Sequence, residues 1–290
     1  MPQDKLLEKV KKLRELTGVG FKDCKIAIDE NNGDIEKSIE SLRKKGIAKA
    51  NKKMERVAAD GLVCIHEDNN SFSIVEINSE TDFVAKNDNF ITFAEEISQL
   101  AFSNSGKVDN ILLAKMKNGK QVKENLVDLI SKIGEKITIR RSAFFEASNL
   151  FNFSYIHTAV KKNLGKLGVL ISVEAKNKSR DDLLSLGKQI AMHIAASSPL
   201  ALDRDDLDKD ILSKEKEIII EELKSSGKDT KIIEKISLGK LNKFISDNTL
   251  LNQEWIMEPK KKVKDILKEV GGKDEIKIKS FLRYKVGEGV

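Results

Sequence analysis

The feature that most limits how this chain can fold is a strand–turn–strand–helix pattern that occurs twice. In the first copy, residues 62–66 and 72–77 carry the apolar alternation of strands, and a helix with one apolar face follows from Asp88. The second copy spans 155–197 and repeats this order, with its helix starting near Arg180. Short turns join neighbouring strands that run antiparallel. The repeat therefore predicts an α+β fold with two related subdomains and antiparallel strands.

Two more strand-like segments and the domain limits complete this prediction. Residues 136–143 are expected to close the first subdomain, and residues 276–286 the second. We predict an N-terminal helical domain with its linker over 1–54, a first core subdomain over 55–146 and a second over 147–290.

The N-terminal domain is predicted to contain three short helices within residues 4–46. Thr17-Gly18-Val19-Gly20 and Asn32-Gly33 interrupt the helical pattern, and Asp34 can cap the third helix. The basic segment 43–53 is expected to form a linker helix. A three-helix unit of this size resembles a ubiquitin-associated-type domain. Its apolar residues at helical spacing are Leu6, Leu7, Val10, Leu13, Leu16, Cys24, Ala27, Ile28, Ile35, Ile39 and Leu42.

An antiparallel helical hairpin is predicted as an insertion in the second subdomain, at about 204–247. The first helix carries two neighbouring apolar stripes, one with Leu207, Ile211 and Ile218 and one with Leu212, Ile219 and Leu223. The chain turns at Ser225-Ser226-Gly227, and the returning helix carries Ile232, Ile233, Ile236, Leu241 and Phe244. Two helices alone expose much apolar surface. The hairpin therefore either packs on its own core or forms a homodimer.

Composition narrows the classes of partner and compartment. The 290 residues carry a net charge of +6, but Lys and Arg are interleaved with 46 acids and aromatics make up only 5%. Base-stacking platforms require aromatic rings, so direct nucleic-acid binding is not expected. No apolar run approaches the roughly 20 residues that span a bilayer, and no signal peptide is visible, so no membrane contact is expected. Cys24 and Cys64 form no CxxC pair, which favours a reducing, cytoplasmic location.

The sequence offers little support for catalysis, cofactors or metals. The Gly-Lys pairs lack the remaining residues of a phosphate-binding loop. His66, His157 and His193 do not stand at metal-ligand spacing, so no metal site and no cofactor are expected. His193 shares an apolar helix face with Leu186 and Ile190, which favours a hydrogen-bonded core histidine. No nucleophile-elbow motif is present, and covalent catalysis is disfavoured.

A polar turn between the second strand and the helix at Asp88 carries one large aromatic ring, Phe83, beside Asp82. Such turns lie at the surface, because buried loops leave backbone groups unpaired. Two interpretations of Phe83 stay open: the ring contacts a partner, or it folds back onto the core. Two interpretations of Asp82 stay open as well: its carboxylate acts as an acid or base, or Thr81 or Asp82 caps the turn before the next helix.

The turn and five further segments, in the same order along the chain, resemble the elongation factor Ts family of guanine-nucleotide exchange factors for elongation factor Tu. Any one of these matches is weak, but six in order are specific. The segments are Leu13-Arg14-Glu15-Leu16-Thr17-Gly18-Val19-Gly20-Phe21-Lys22-Asp23-Cys24-Lys25, Ala58-Ala59-Asp60-Gly61 with Thr81-Asp82-Phe83-Val84-Ala85-Lys86, Ile133-Gly134-Glu135-Lys136-Ile137 with Arg140-Arg141, Ile190-Ala191-Met192-His193-Ile194-Ala195-Ala196-Ser197, Met257-Glu258-Pro259, and Arg283-Tyr284 with Val286-Gly287-Glu288-Gly289.

The resemblance implies a function and a set of contact residues. Proteins of this family bind elongation factor Tu and expel its GDP, without bond chemistry of their own. Asp82 and Phe83 would wedge into the GTPase domain of Tu near its Mg²⁺ and phosphate site, and their neighbours Thr81 and Val84 are implied contacts of Tu as well. The other implied contacts are Arg14, Phe21 and Lys25 to the GTPase domain, and His157, Ile256 and Met257 elsewhere on Tu.

Two departures and two rival interpretations accompany the resemblance. Phe21-Lys22 stands where other members often have two methionines, so that contact is expected to be reshaped. Some members continue into a C-terminal helical module after the segment that here ends at Val290, and its contribution would then be absent or replaced. The rivals are a non-exchange adaptor, of the ubiquitin-binding or ribosome-associated kind, and an enzyme built on the α+β core.

Overall fold

The computed structural model describes residues 3–146, 149–224 and 230–290, and it begins with three helices. These are α1 (Gln3–Thr17), α2 (Phe21–Glu30) and α3 (Ile35–Lys53). The side chain of Asp34 accepts a hydrogen bond from the backbone N of Lys37 (3.0 Å), which confirms the predicted cap. The helices enclose a small core of Val10, Leu13, Cys24, Ala27, Ile28 and Leu42.

Three details of these helices differ from the prediction. The basic segment 43–53 is helical, as predicted, but it continues α3 without a break and is not a separate linker helix. Ile39 is exposed and Ser38 is buried, with its hydroxyl within hydrogen-bonding distance of the carbonyl oxygens of Asp34 (2.5 Å) and Ala27 (3.0 Å). Leu7 and Leu16 of α1 are also exposed. Whether this unit is a ubiquitin-associated-type domain remains a prediction.

The first half of the core contains three strands and four helices. A turn at Asn69 and Asn70, both with positive φ, joins the first two strands, whose register pairs Asp60 with Ser79. The elements are β1 (Asp60–Asp68), β2 (Ser71–Ser79), α4 (Asp82–Ala85), α5 (Asp88–Ser103), α6 (Val108–Leu113), α7 (Val122–Ile133) and β3 (Ile137–Phe145).

The second half repeats the strand–strand–helix order and then adds helices and a small sheet. The small sheet (β6, β7) and the helix α11 were not predicted. The elements are β4 (Phe151–Lys161), β5 (Leu164–Ala175), α8 (Arg180–Ser197), α9 (Lys209–Lys224), α10 (Thr230–Asn248), β6 (Glu254–Trp255), β7 (Glu258–Lys262), α11 (Val263–Gly271) and β8 (Ile276–Lys285).

The strands of both halves form one six-stranded antiparallel sheet. Its order is β3-β2-β1-β5-β4. Strand β8 pairs with residues 167–175 of β5 along the edge opposite β4, the same edge that β1 joins through the pairs Val63–Gly165 and Cys64–Leu164. This confirms the α+β prediction with antiparallel strands, including the closing positions of β3 and β8. The limits of the two predicted subdomains remain a prediction.

Helices cover one face of each half, and the two halves share a core on the opposite face. Alternation along the strands explains this arrangement, because Leu62 and Cys64 pack under α5 while Val63 and Ile65 point the other way. Val63 meets Leu170 of the second half in the shared cluster. Each half is therefore a helix-covered unit that cannot separate from the other without exposing apolar surface.

Helices α9 and α10 pack against each other through part of the predicted apolar surface. Ile219 and Leu223 are buried beside Ile233, whereas Ile211 and Ile218 of the other stripe are exposed. The predicted turn at Ser225-Ser226-Gly227 lies outside the described residues. The homodimer alternative for this hairpin remains a prediction.

Candidate partner-binding site

Phe83 is the most exposed large aromatic side chain of the described residues, with 79% of its surface in solvent. It lies on α4, a single helical turn between β2 and α5. The next two residues point inward: Val84 is 5% exposed and Ala85 is fully buried in the first-half core. The ring therefore does not fold back onto the core, and α4 presents it outward while its neighbours fasten the turn. Because Val84 is buried, its place is beneath the surface that Phe83 forms.

Thr81 stands at the N-cap position of α4 without capping it. Its backbone N donates to Glu135 Oε2 (3.0 Å), and its hydroxyl donates to Glu135 Oε1 (2.8 Å). The preceding residue makes the reverse contact: Glu80 Oε1 accepts a hydrogen bond from the backbone N of Lys136 (2.6 Å). We call Glu80, Thr81, Glu135 and Lys136 the loop clasp. It joins the residues before α4 to the turn between α7 and β3.

Asp82 is half-exposed beside the Phe83 ring. Its Oδ2 lies 3.0 Å from Lys86 Nζ, one helical turn later. The hydrogen bond from Lys86 lowers the pKa of Asp82, and the nearby charge of Lys166 acts in the same direction. The carboxylate is therefore ionised at neutral pH. Exposed ion pairs of this kind are weak, so Asp82 can exchange Lys86 for another cation at little cost.

The predicted contacts of the N-terminal domain all lie at its surface. Phe21 is the first residue of α2 and is 41% exposed, and Lys25 lies one turn later on the same helix face. Arg14 is exposed in the last turn of α1. The break between α1 and α2 therefore carries two cations and one aromatic ring outward.

The predicted contacts of the second half occupy two places on it. His157 is exposed on β4, where its Nδ1 lies 3.0 Å from the Tyr155 hydroxyl. Ile256 and Met257 are exposed at the turn between β6 and β7. Phe83 projects from α4 of the first half, so the predicted residues are distributed over the N-terminal helices and both halves of the sheet.

A buried histidine holds the β6–β7 turn in place. His193 is fully buried, its Nε2 lies 3.0 Å from Gln253 Oε1, and its ring stacks on Trp255 at 5.1 Å between centroids. Its Nδ1 accepts a hydrogen bond from the backbone N of Ile256 (3.4 Å). Burial lowers the pKa of His193, so the ring is neutral. This confirms the prediction of a hydrogen-bonded core histidine.

Within residues 3–146, 149–224 and 230–290, no group of three or more His, Cys, Asp or Glu side chains is placed to hold a metal ion. No helix of that described part is long and apolar enough to cross a membrane. A groove of about 580 Å³ beside α11 is lined mainly by aliphatic side chains and lysines, among them Leu267, Ile276, Lys268 and Lys273. Its lining contains no histidine or cysteine.

Sequence reasoning did not assign the partners that hold the Phe83 turn. Glu135 lies 54 positions after Thr81, and Lys136 lies 56 positions after Glu80. No spacing rule connects such distant positions. The only signal was that Ile133-Gly134-Glu135-Lys136-Ile137 stood among the segments that resemble the family.

Surface aromatic and charged residues on secondary-structure elements are typical of the class of protein that acts by binding another protein. Comparison with known sequences gives the particular family. The family profile described as Elongation factor TS matches residues 80–288. Elongation factor Ts of Rickettsia prowazekii (strain Madrid E) is 42% identical over 283 residues, covering 97% of this chain and 91% of that protein.

Elongation factor Ts proteins of two other bacteria match this chain to a similar extent. Elongation factor Ts of Methylorubrum populi is 44% identical over 284 residues, and that of Caulobacter vibrioides (strain CB 15) 42% over 287 residues. Each match covers 97% of this chain and 92% of the relative. The chain therefore belongs to the elongation factor Ts family. Proteins of this family are nucleotide exchange factors in translation elongation, not catalytic enzymes, and the family implies elongation factor Tu as the partner.

Proposed function

We propose that this protein binds elongation factor Tu in its GDP form and speeds GDP release by disturbing the Mg²⁺ and phosphate site, so that GTP can bind. The observation that carries the proposal is the 79% exposure of Phe83 on a turn whose next two residues are buried. A large aromatic ring held in solvent costs hydrophobic free energy in the free protein. That cost is recovered when a partner covers the ring.

Exchange requires only differential binding. The factor must bind the nucleotide-free partner better than the GDP-bound partner. By reciprocity, GDP must weaken the binding of the factor by the same ratio. Each tenfold weakening of GDP binding needs about 1.4 kcal/mol of differential binding free energy. Covering one Phe ring supplies about 1.5–3 kcal/mol. Phe83 alone can therefore weaken the binding of GDP to Tu by about 10- to 100-fold, if the ring fits only the distorted form of Tu.

Asp82 has the electrostatic role in this proposal. Its carboxylate is ionised and held by an exposed Lys86. Near a bound Mg²⁺ and a diphosphate, a second anion competes for the cation's ligand positions and repels the phosphate oxygens. Steric displacement by Phe83 and charge competition by Asp82 then act on the same site.

The remaining contacts extend this interaction. We propose that Arg14, Phe21 and Lys25 of the N-terminal, ubiquitin-associated-type domain bind the GTPase domain of Tu. His157 with Ile256 and Met257 would bind a second domain. The helical hairpin would join two copies of this chain in a homodimer, and the protein would work in the cytoplasm without direct contacts to nucleic acid.

GDP release from Tu loaded with a fluorescent GDP tests the proposal. The wild-type protein is expected to accelerate release, and Phe83→Ala to reduce that acceleration by about 10- to 100-fold. Leu113→Ala is the matched control, since Leu113 is 54% exposed at the end of α6 and is not a proposed contact. It is expected to retain the wild-type rate.

Two results would contradict the proposal. A folded Phe83→Ala variant with the wild-type rate would remove the ring from the mechanism. Release no faster with the wild-type protein than without it would remove exchange altogether. If such a protein still bound Tu equally well with and without excess GDP and Mg²⁺, the non-exchange adaptor would be the better description.

A further inference from the structure

The turn that carries Phe83 is too short to orient itself. Helix α4 has four residues, and an isolated helical turn is unstable because few hydrogen bonds offset the entropy of ordering its backbone. Val84 and Ala85 fasten its C-terminal part to the core. The direction of the ring therefore depends on what holds the residues before α4.

The loop clasp holds those residues. Both carboxylate oxygens of Glu135 accept hydrogen bonds from Thr81, one from its backbone N (3.0 Å) and one from its hydroxyl (2.8 Å). Glu80 accepts from the backbone N of Lys136 (2.6 Å). Gly134 permits this geometry, because its φ of +88° ends α7 with a left-handed residue and turns Glu135 towards the loop. Hydrogen bonds to charged groups are stronger than those between neutral groups.

The same contacts reach the end of α3. Lys136 Nζ donates to the carbonyl oxygens of Met54 and Arg56, both at 2.7 Å. The guanidinium of Arg56 lies 3.2 Å from Glu80 Oε2. Lys53 Nζ donates to the Gly134 carbonyl oxygen. One set of contacts thus connects the N-terminal domain, the residues before α4 and the turn before β3.

We propose that Glu135 is a positioning residue for exchange: it fixes the direction of the Phe83 ring relative to the N-terminal domain, so that both reach their sites on the guanine-nucleotide-binding partner as one rigid unit. This inference rests on the proposed function of Phe83. In this role Glu135 needs no contact of its own with the nucleotide site of the partner. Its effect passes through Thr81 to α4, and it acts by reducing the conformational freedom that the ring would lose on binding.

A double-mutant cycle on GDP release tests this role. Glu135→Ala is expected to slow the stimulated release about tenfold, the equivalent of one charge-assisted hydrogen bond. In a Phe83→Ala background the same change is expected to cost less than about twofold, because there is no ring left to position. Thermal unfolding of each variant shows whether it is folded at the assay temperature.

Conservative variants separate positioning from charge. Glu135→Gln keeps an acceptor for the Thr81 backbone N and a group that can bond its hydroxyl, so it is expected to restore most of the rate lost in Glu135→Ala. Thr81→Val removes one of the two hydrogen bonds, and Thr81→Ser keeps it. If Glu135→Ala does not fold, Thr81→Val and Thr81→Ser are measured in its place. Stimulated GDP release is then expected to be slower with Thr81→Val and unchanged with Thr81→Ser. Glu174→Ala, which removes the half-exposed partner of Lys279, is the matched control. It is expected to stimulate GDP release from the partner at the wild-type rate.

The outcomes distinguish this inference from the proposed function. Equal losses from Glu135→Ala with and without Phe83 would show that Glu135 acts elsewhere, and a wild-type rate from Glu135→Ala would exclude any role. Either result overturns the inference while the function of Phe83 stands. A wild-type rate from Phe83→Ala would overturn the proposed function, and the inference with it.

Discussion

The two halves of the sheet connect a strand to a helix in different ways. In the first half, residues 80–87 lie between β2 and α5 and include the extra turn α4 with Phe83. In the second half, only residues 176–179 lie between β5 and α8. There Ser179 and Asp182 form a capping box, with the Asp182 carboxylate accepting from the Ser179 backbone N (2.8 Å). Both connections start a long helix on the same kind of sheet.

This difference separates what the fold needs from what is added to it. Four polar residues with a capping box are sufficient to join the strand to the helix. The first connection uses twice that length, exposes an aromatic ring and is bonded through Thr81 to a distant carboxylate, Glu135. An exposed ring and additional backbone order both cost free energy of folding. Selection for folding alone does not explain the longer connection, which is why we assign the partner contact to it.

The central strands of the two halves also carry carboxylates in different environments, and this gives the largest expected effect on stability. Glu76 of β2 is completely buried and accepts hydrogen bonds from Arg141 (2.6 Å), Arg140 (3.2 Å) and the backbone N of Gly287 (2.9 Å). Glu76→Ala removes the buried carboxylate that the half-buried Arg140 and Arg141 share and leaves the Gly287 backbone N without this acceptor, and it is expected to cost about 3 kcal/mol. Glu174→Ala on β5 is the control and should change the free energy of unfolding by less than about 0.5 kcal/mol. Urea denaturation measures both, and similar losses would contradict the contrast.

The pH dependence of stability sharpens the same comparison. Burial alone would raise the pKa of Glu76, but hydrogen bonds from Asn78, Gly287 and Arg141 outweigh it and leave the pKa below its usual value. A carboxyl group whose pKa is lower in the folded than in the unfolded protein contributes its full stabilisation of the fold above the unfolded-state pKa, about 4.3. That contribution is lost as the pH falls through the folded-state pKa. The stability difference between wild type and Glu76→Gln should therefore shrink below about pH 4. A constant difference from pH 7 to pH 3 would argue against it.

Val84 provides the next largest effect and tests how α4 is fastened. Val84→Ala removes two buried methyl groups beneath the Phe83 turn and is expected to lower the free energy of unfolding by about 2 kcal/mol. Chemical denaturation measures the loss, with Leu113→Ala as an exposed control that should be nearly neutral. A change below about 0.5 kcal/mol would mean that α4 is not held by the core.

The smallest expected effect belongs to the second connection. Ser179→Ala removes the hydroxyl that caps α8 and should cost about 1 kcal/mol of stability. Because this connection carries no partner contact in our proposal, GDP release at a temperature where the variant is folded should equal that of the wild type. Slower release from Ser179→Ala would show that the second connection also contributes to exchange.

Local patterns predicted the elements that depend on nearby residues. The helices at Asp88 and Arg180 begin where expected, because caps and apolar periodicity act within one or two turns. The strands of the first copy and the turn at Asn69-Asn70 follow from alternation and from residues that tolerate positive φ. The continuity of α3 was missed, since a basic segment without large apolar residues resembles a linker. The β6–β7 sheet was missed because its strands are short.

The candidate site was predictable in its residues but not in its geometry. The motif around Asp82 and Phe83 stands in the sequence, whereas the inward direction of Val84 depends on how α4 docks on β1 and α5. Likewise, periodicity alone offered both stripes of α9, and only packing against α10 buries Ile219 and Leu223 in place of Ile211 and Ile218.

The sequence by itself determined the alternation of strands and helices, the positions of the caps and turns, and the presence of an aromatic residue in a strand-to-helix connection. These features depend on neighbours a few residues apart. Only the tertiary structure decided that Phe83 remains in solvent and that Glu135 holds the turn beneath it. Such contacts join positions more than fifty residues apart, and they form only when the sheet brings the two turns together.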